Sequence, residues 1–210
     1  SSSGPPPSRA IAMAGALYGQ AKYQQAEKVC RQIIAARPQL ANAHNILGVT
    51  LNALGRTDEA VASLRRAIAL APSVASFHAN LGEVLRQHGR TAEAEETLQS
   101  AVRLDPTNAQ ALNNLGIIHF ERKQFDAAVE HYRTALAVRP TMAEALNNLG
   151  NALRMISDAA GAMKAYQDAL VHREIYPEAY NNLGTLLQQE GRFEEAERAL
   201  KKAIVQNPRY

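Results

Sequence analysis

The chain has 210 residues, and its 23 Lys and Arg against 20 Asp and Glu leave a net charge of +3. Such a nearly equal number of positive and negative charges argues against nucleic acid or an anionic membrane surface as a partner. No apolar stretch approaches the ~20 residues that a membrane span needs, and the single cysteine excludes an internal disulfide. We therefore expect neither nucleic acid nor membrane as a partner, and a cytoplasmic protein, which suits a lone reduced thiol.

Residues 1–6 precede the regular part of the chain and are interpreted as a flexible leader or a cloning remnant. From Pro7 onward a 34-residue unit recurs without insertion or deletion. The predicted repeats are 7–40, 41–74, 75–108, 109–142, 143–176 and 177–210. A fixed period of this length predicts a stacked array in which each unit buries its apolar face against its neighbours. Function is therefore expected on a repeated surface and not in one pocket.

The second repeat predicts a helical hairpin. Apolar residues such as Leu47 and Leu51 recur three to four apart across roughly 41–54, Gly55 suits a left-handed stop, and Pro72 ends the second helix. In the following repeats Thr107 and Thr141 stand three residues before a Gln and a Glu, which is the capping-box spacing. The sequence thus predicts an all-α chain of twelve helices.

Small residues recur at fixed positions of the repeat. The eighth position holds Ala14, Gly48, Gly82, Gly116, Gly150 and Gly184, and the twentieth is always alanine. A glycine inside a helix costs about 1 kcal/mol relative to alanine, so a compensating gain is needed. We expect that gain to come from close approach of the two helices of each hairpin.

Asn-Leu-Gly occurs four times, at 80–82, 114–116, 148–150 and 182–184. In the same repeats, alanines follow at fixed positions, and most repeats end with a proline. This arrangement resembles the tetratricopeptide repeat (TPR) family. The resemblance implies an α-solenoid of six tandem hairpins, a right-handed superhelix whose first helices line a concave groove. Such arrays usually bind peptides or partner proteins and perform no chemistry. The fifth repeat departs from the pattern with Ser157 at the turn glycine and Glu174 at the proline, and Pro177 is expected to start the next helix.

Asparagine, a poor helix former, fills two further repeat positions. The fifth position holds Asn45, Asn113, Asn147 and Asn181, and the sixth holds Asn80, Asn114, Asn148 and Asn182. A carboxamide both donates and accepts hydrogen bonds, so such a row could hold an extended peptide by its backbone. The sixth-position row resembles the asparagine ladder of O-linked N-acetylglucosamine transferases. The alternative is that these side chains only bond to neighbouring helices.

No chemistry-bearing constellation is evident. No two of the six histidines stand three or four residues apart, as paired metal ligands on one helix would. His44 and His78 share a repeat position and are interpreted as packing residues, and Cys30 occupies a core slot. We therefore predict no cofactor, no metal and no catalysis.

The sequence favours a protein-interaction scaffold that binds an extended peptide or partner protein. The alternatives are the substrate-recognition arm of a larger enzyme, such as a glycosyltransferase, and a self-assembling array. The last helix carries Leu200, Ala203 and Ile204, which match residues expected to receive a following repeat. This face predicts either a longer polypeptide or end-to-end self-association.

Overall fold

A computed structural model describes residues 7–209, and within that part of the chain it has twelve α-helices and no strand. The helices are α1 Pro7–Gly19, α2 Tyr23–Ala36, α3 Ala41–Ala53, α4 Thr57–Leu70, α5 Ala75–Gln87, α6 Thr91–Leu104, α7 Ala109–Glu121, α8 Phe125–Val138, α9 Ala143–Met155, α10 Ala159–His172, α11 Pro177–Gln189 and α12 Phe193–Gln206. We call the odd-numbered helices A helices and the even-numbered ones B helices. The prediction of an all-α chain of six helical hairpins is confirmed.

The chain divides into two compact units, residues 1–111 and 112–210. In the first unit each A helix packs on its own B helix, and each B helix packs on the next A helix, as α2 does on α3 and α4 on α5. The second unit follows the same order, with α8 on α9 and α10 on α11. Each layer of a unit therefore buries its apolar stripe against its sequence neighbours, as a repeat of this kind requires.

The eighth-position glycines lie where the two helices of a hairpin cross closely. A Cβ placed on Gly48 or Gly82 would lie 2.5 Å from Cγ of Leu64 or Leu98. On Gly116 and Gly150 it would lie 2.5 Å from the ring of Tyr132 or Tyr166, and on Gly184 2.6 Å from Leu200. The expected close approach is confirmed, and the partner is the side chain at the twenty-fourth position of the same repeat.

In the first repeat, a different pair of residues packs where the two helices cross. This repeat has Ala14 at the eighth position and Cys30 at the twenty-fourth, and both are fully buried. A methyl group is added on one side while the partner is reduced to a small thiol, so the pair offsets a gain in volume with a loss. The interpretation of Cys30 as a core residue is confirmed.

The turn inside each hairpin needs one left-handed residue. Gly55, Gly89 and Gly191 fill that place with φ between 73° and 77°, as expected for glycine. The other three hairpins use Ala21, Lys123 and Ser157 with φ between 56° and 65°. A left-handed residue with a Cβ costs roughly 1–2 kcal/mol, so these three turns carry backbone strain.

Two predictions about helix starts, the capping boxes at Thr107 and Thr141, were wrong. Asn108, and not Thr107, caps α7, because its Oδ1 accepts the backbone N–H of Ala111 at 2.9 Å. The residue before α9 is Met142, with no side-chain cap, so Thr141 does not form a capping box. A capping residue is the one directly before the helix, and the Thr lies one position too early in both cases.

The exit turn of the fifth repeat is stabilised from the end of α12. Gln206 accepts the backbone N–H of Tyr176 at 2.9 Å and donates its amide to the carbonyl of Glu174 at 2.9 Å. Pro177 opens α11 as expected. A single side chain thus satisfies two backbone groups in the turn where the closing proline is missing.

Candidate functional site

The two asparagine rows bond to each other. Three of the four sixth-position asparagines donate through Nδ2 to the fifth-position Oδ1 of the preceding A helix. The pairs are Asn80 to Asn45 at 2.9 Å, Asn148 to Asn113 at 3.2 Å and Asn182 to Asn147 at 3.0 Å. The first pair joins α3 to α5 within the first unit, and the other two join α7, α9 and α11 within the second. The rows therefore link successive A helices side by side.

Two of the three fifth-position side chains of the second unit, those of Asn113 and Asn147, are buried and bonded within the fold. Asn113 is 0% exposed and Asn147 5%. Besides accepting from the next A helix, Asn113 donates to Oε1 of Glu144 at 3.5 Å, and Asn147 bonds to the hydroxyl of Tyr176. Burial raises the pKa of Tyr176 to about 12, so its hydroxyl stays protonated.

Direct contact with a peptide was expected of the whole set, and burial limits it. Asn113, Asn114 and Asn147 are buried, so a ligand lying on the surface of the folded chain does not reach them. The correction is physical: an unpaired carboxamide inside a protein is costly, and these side chains satisfy that need with helix neighbours. Asn80, Asn148, Asn181 and Asn182 are only half-buried.

The half-buried sixth-position residues Asn148 and Asn182 keep one free function. Each spends one Nδ2 hydrogen on the neighbouring helix, and among the described residues nothing donates to either Oδ1. The oxygen is held in place because the amide plane is fixed by the bond on its other end. Two accepting oxygens therefore stand on α9 and α11, which contact each other.

A second polar group lies further along α9. Tyr166 of α10 is fully buried, and its hydroxyl donates to Oδ1 of Asn151 at 2.7 Å. Arg154 bonds to the same hydroxyl; burial raises the pKa of Tyr166, and the guanidinium partly offsets that rise. The Nε of Arg154 is buried without a hydrogen-bond partner. Sequence reasoning did not single out this group, although Arg154 and Asn151 both stand at polar positions of an A helix.

The histidines serve the fold. His44 and His78 bond through Nε2 to the carbonyls of Pro38 and Pro72, each at 2.9 Å, so their shared repeat position secures the turn between repeats. His119 and His131 come together across the fourth hairpin with ring centroids 4.9 Å apart. No group of three or more His, Cys, Asp or Glu within residues 7–209 is arranged to hold a metal ion.

Cys30 has the chemistry of a core residue. Its side chain is fully buried, and burial raises the pKa of the thiol to about 11. A thiol needs a lowered pKa and access to solvent to act as a nucleophile. Cys30 has neither property.

Comparison with protein-family models decides the class of the repeat. A model described as the cytochrome c-type biogenesis protein H TPR domain matches residues 20–144, more than half of the chain. Two further tetratricopeptide repeat models match residues 113–180 and 177–210. The chain belongs to the tetratricopeptide repeat family. Repeats of this family are generally non-catalytic scaffolds for protein interaction.

Solved TPR structures share the fold. The crystal structure of the APC/C hetero-tetramer Cut9–Hcn1 matches with a TM-score of 0.91 at 20% identity, over 97% of this chain and 41% of that chain. PilF of Pseudomonas aeruginosa matches with a TM-score of 0.84 at 19% identity, over 96% and 92%. YrrB, described as a TPR protein with an unusual peptide-binding site, matches with a TM-score of 0.63 at 20% identity, over 85% and 92%.

Identities this low establish the shared fold alone, and the chain spans less than half of the length of the Cut9–Hcn1 match. No curated protein sequence matches the chain significantly. Among the described residues, no helix has both the length and the apolar character needed to cross a membrane.

Proposed function

We propose that the chain is a protein-interaction scaffold, without catalysis of its own, that binds an extended peptide along the A helices of the second unit. The observation that carries the proposal is the unused Oδ1 of Asn148 and Asn182, each fixed by a bond to the preceding A helix. Peptide N–H groups would donate to these oxygens. Asn80 presents the same arrangement in the first unit.

The spacing supports binding of an extended backbone. Packed helices lie about 8–10 Å apart, and an extended chain advances about 3.3 Å per residue. One repeat therefore corresponds to about three residues of a bound peptide. Contacts to backbone N–H groups at that interval are largely independent of the peptide's side chains. The resemblance of this row to the glycosyltransferase asparagine ladder remains a prediction, as does the assignment of the partner as a protein or peptide.

The fifth-position asparagines fix the orientation of the sixth-position amides by accepting their Nδ2 hydrogens. Without Asn113 or Asn147 the sixth-position amide would rotate freely, and a ligand would have to order it on binding. Ordering a side chain costs about 0.5–1.5 kcal/mol, and pre-organisation removes part of that cost. The same asparagine bonds therefore connect the helices of the fold and orient the oxygens proposed to bind the peptide.

The proposal can be tested with a pool of N-acetylated nonapeptides in which every position is varied among all amino acids except cysteine. The intact chain is immobilised, and retained peptide is measured for the natural sequence and for Asn148→Ala with Asn182→Ala. Each lost hydrogen bond is worth about 0.5–1.5 kcal/mol, so retention should fall about 5- to 150-fold. Gln167→Ala, an exposed carboxamide on α10, is the matched control and should change nothing.

Thermal unfolding of both variants separates binding from stability. The double variant leaves the buried Oδ1 atoms of Asn113 and Asn147 unpaired, at about 1–3 kcal/mol each, which exceeds the gain from two better helix formers. Its melting temperature should therefore fall, and retention is compared well below it. Unchanged peptide retention together with a sharply lower melting temperature would show that the row is structural and has no role in binding.

A further inference from the structure

We propose that Arg154 forms a subsite for an anionic side chain of the bound peptide, so that the second unit selects peptides with a carboxylate or phosphate at one position. This inference rests on the proposed function, because the anion is delivered by a peptide lying on the same A helices. It adds sequence selectivity to a site whose asparagine contacts read only the backbone.

Arg154 differs from the other arginines that the fold holds in place. Arg56, Arg90 and Arg192 each form paired contacts with the Glu three residues later, at 2.7–2.8 Å. Arg31 and Arg65 reach a Glu of the next B helix. Arg154 takes part in none of the ion pairs within residues 7–209.

The polar groups around Arg154 offer hydrogen-bond donors to a ligand, because the nearby acceptor is already occupied. The Oδ1 of Asn151 already accepts the Tyr166 hydroxyl at 2.7 Å, which leaves the Nδ2 of Asn151 as a donor. The guanidinium carries five N–H donors and no acceptor, and its Nε is buried without a partner. A ligand does not reach that buried Nε, so an anion would be bound by the terminal NH2 groups of the half-buried side chain.

The guanidinium is also held in position. It lies beside the hydroxyl of the fully buried Tyr166, and its Nε is buried, so part of its side-chain freedom is already lost before an anion binds. Arginine pairs with carboxylate and phosphate through two parallel hydrogen bonds, and such contacts are stronger than neutral ones. Both anions therefore fit the subsite, and peptides that carry one or the other distinguish them.

The carboxylates on α9, on α10 and at the start of α10 already have partners within the chain. On α9 itself Glu144 accepts from Asn113. On α10 Asp158 caps its own helix through Gly161, and Asp168 pairs with Lys164 at 3.2 Å. The chain's own carboxylates on these two helices thus have other partners, and the guanidinium remains available to a ligand.

The test uses four nonapeptide pools that are degenerate except at the central residue, which is Glu, phosphoserine, Gln or Lys. Each pool is passed over the immobilised intact chain and over Arg154→Gln, Arg154→Lys and Arg133→Gln, the last being an exposed arginine on α8. The natural chain should retain the Glu or phosphoserine pool roughly tenfold better than the Gln pool. Arg154→Gln should abolish that preference, Arg154→Lys should keep part of it, and Arg133→Gln should leave it intact.

The outcomes separate the two proposals. If the natural chain retains peptides without preferring an anion, or if Arg154→Gln keeps the preference, the anionic subsite is wrong and the peptide-binding proposal stands. If no pool is retained by the natural chain, both proposals fail. Melting temperatures of the three variants are measured to check that a loss of peptide retention is not caused by unfolding. If Arg154→Gln is unstable, Arg154→Lys provides the second test of the anion preference.

Discussion

The two compact units use the same repeat but differ in the ion pairs between successive hairpins and in the burial of their asparagines. In the first unit, charged side chains connect neighbouring B helices. Arg56 pairs with Glu27 at 2.7 Å, Arg31 with Glu59 at 3.3 Å and Arg65 with Glu93 at 2.8 Å. In the second unit the ion pairs on the described B helices and their turns, Lys164–Asp168, Arg192–Glu195 and Lys201–Glu197, join residues three or four apart in sequence.

Carboxamides link A helices in both units, with Asn80 to Asn45 and Asn52 to Gln87 in the first, but only in the second unit are the accepting asparagines buried. Two asparagine pairs connect successive A helices there, with Asn113 and Asn147 buried beneath them. Tyrosine replaces leucine at the twenty-fourth position of the fourth and fifth repeats, and Tyr166 adds a hydroxyl bond to Asn151. The units therefore differ in two features: the first has ion pairs between successive hairpins, and the second has buried asparagines between successive A helices. The second unit is therefore where we locate the candidate site.

The largest expected effect comes from the crossing glycines. Gly150→Ala would drive a methyl group against the Tyr166 ring, which is fully buried and tied to Asn151 and Arg154. We expect a loss of about 2–3 kcal/mol in unfolding free energy, the upper part of the range for overpacking. Gly82→Ala meets Leu98, which is also buried but is not tied by a hydrogen bond, and should cost about 1–2 kcal/mol. Urea unfolding measures both, and equal losses would show that the hydrogen-bonded Tyr166 ring is no harder to displace than the Leu98 side chain.

The glycines illustrate what the sequence could predict. Their period indicated a tight crossing, since repeated mid-helix glycine has a cost that packing must offset. The identity of the contact could also be found in the sequence, because Ala14 stands with Cys30 where the other repeats pair glycine with leucine or tyrosine. Periodicity and volume are properties of local sequence, so fold and core were predictable.

The candidate site was predictable only in part. Both asparagine rows were recognised, but their pairing was not, although Asn45, Asn113 and Asn147 each have an asparagine 35 residues later. Which amide is buried and which oxygen stays free depends on the angle between successive helices, and that angle is set by packing over many residues. The Arg154 group was missed for the same reason, since Tyr166 comes from a different helix.

The hairpin turns offer an effect of intermediate size that again separates the units. The first unit has glycine at two of its three left-handed turn positions, whereas Lys123 and Ser157 occupy two of the three in the second. Ser157→Gly and Lys123→Gly should each raise the unfolding free energy by about 0.5–1 kcal/mol by relieving the left-handed strain. Gly89→Ala, where a Cβ meets no atom within 4 Å, should lower it by about 1 kcal/mol. No gain in the urea midpoint from either glycine would show that these turns are unstrained.

The smallest effect concerns acid. The pKa of Glu59 is lowered chiefly by its hydrogen bond to Arg56, that of Glu93 by Arg90 and that of Glu27 by Arg31. A lowered carboxyl pKa contributes stability above the group's ordinary value of 4.5, and that contribution is lost as pH falls through the folded value. Exposed pairs are weak and screened by salt, so the change should be modest.

Hydrogen exchange resolved by segment can detect the acid effect, after correction for the pH dependence of intrinsic exchange. Between pH 5 and pH 3, protection of α2, α4 and α6 should fall more than that of α8 and α10, and 1 M NaCl at pH 7 should reproduce part of the difference. Equal loss in the two sets of helices would show that the inter-hairpin ion pairs of the first unit do not couple its repeats.

The central claim is that the fixed oxygens of Asn148 and Asn182 accept hydrogen bonds from a peptide backbone. Nonapeptides recovered from the degenerate pool can be resynthesised with one N-methyl group at each successive amide and titrated calorimetrically against the intact chain. Loss of affinity should be confined to amides about three residues apart, and it should disappear in the Asn148→Ala with Asn182→Ala variant. Peptides that bind equally well with every amide methylated in turn would contradict the account.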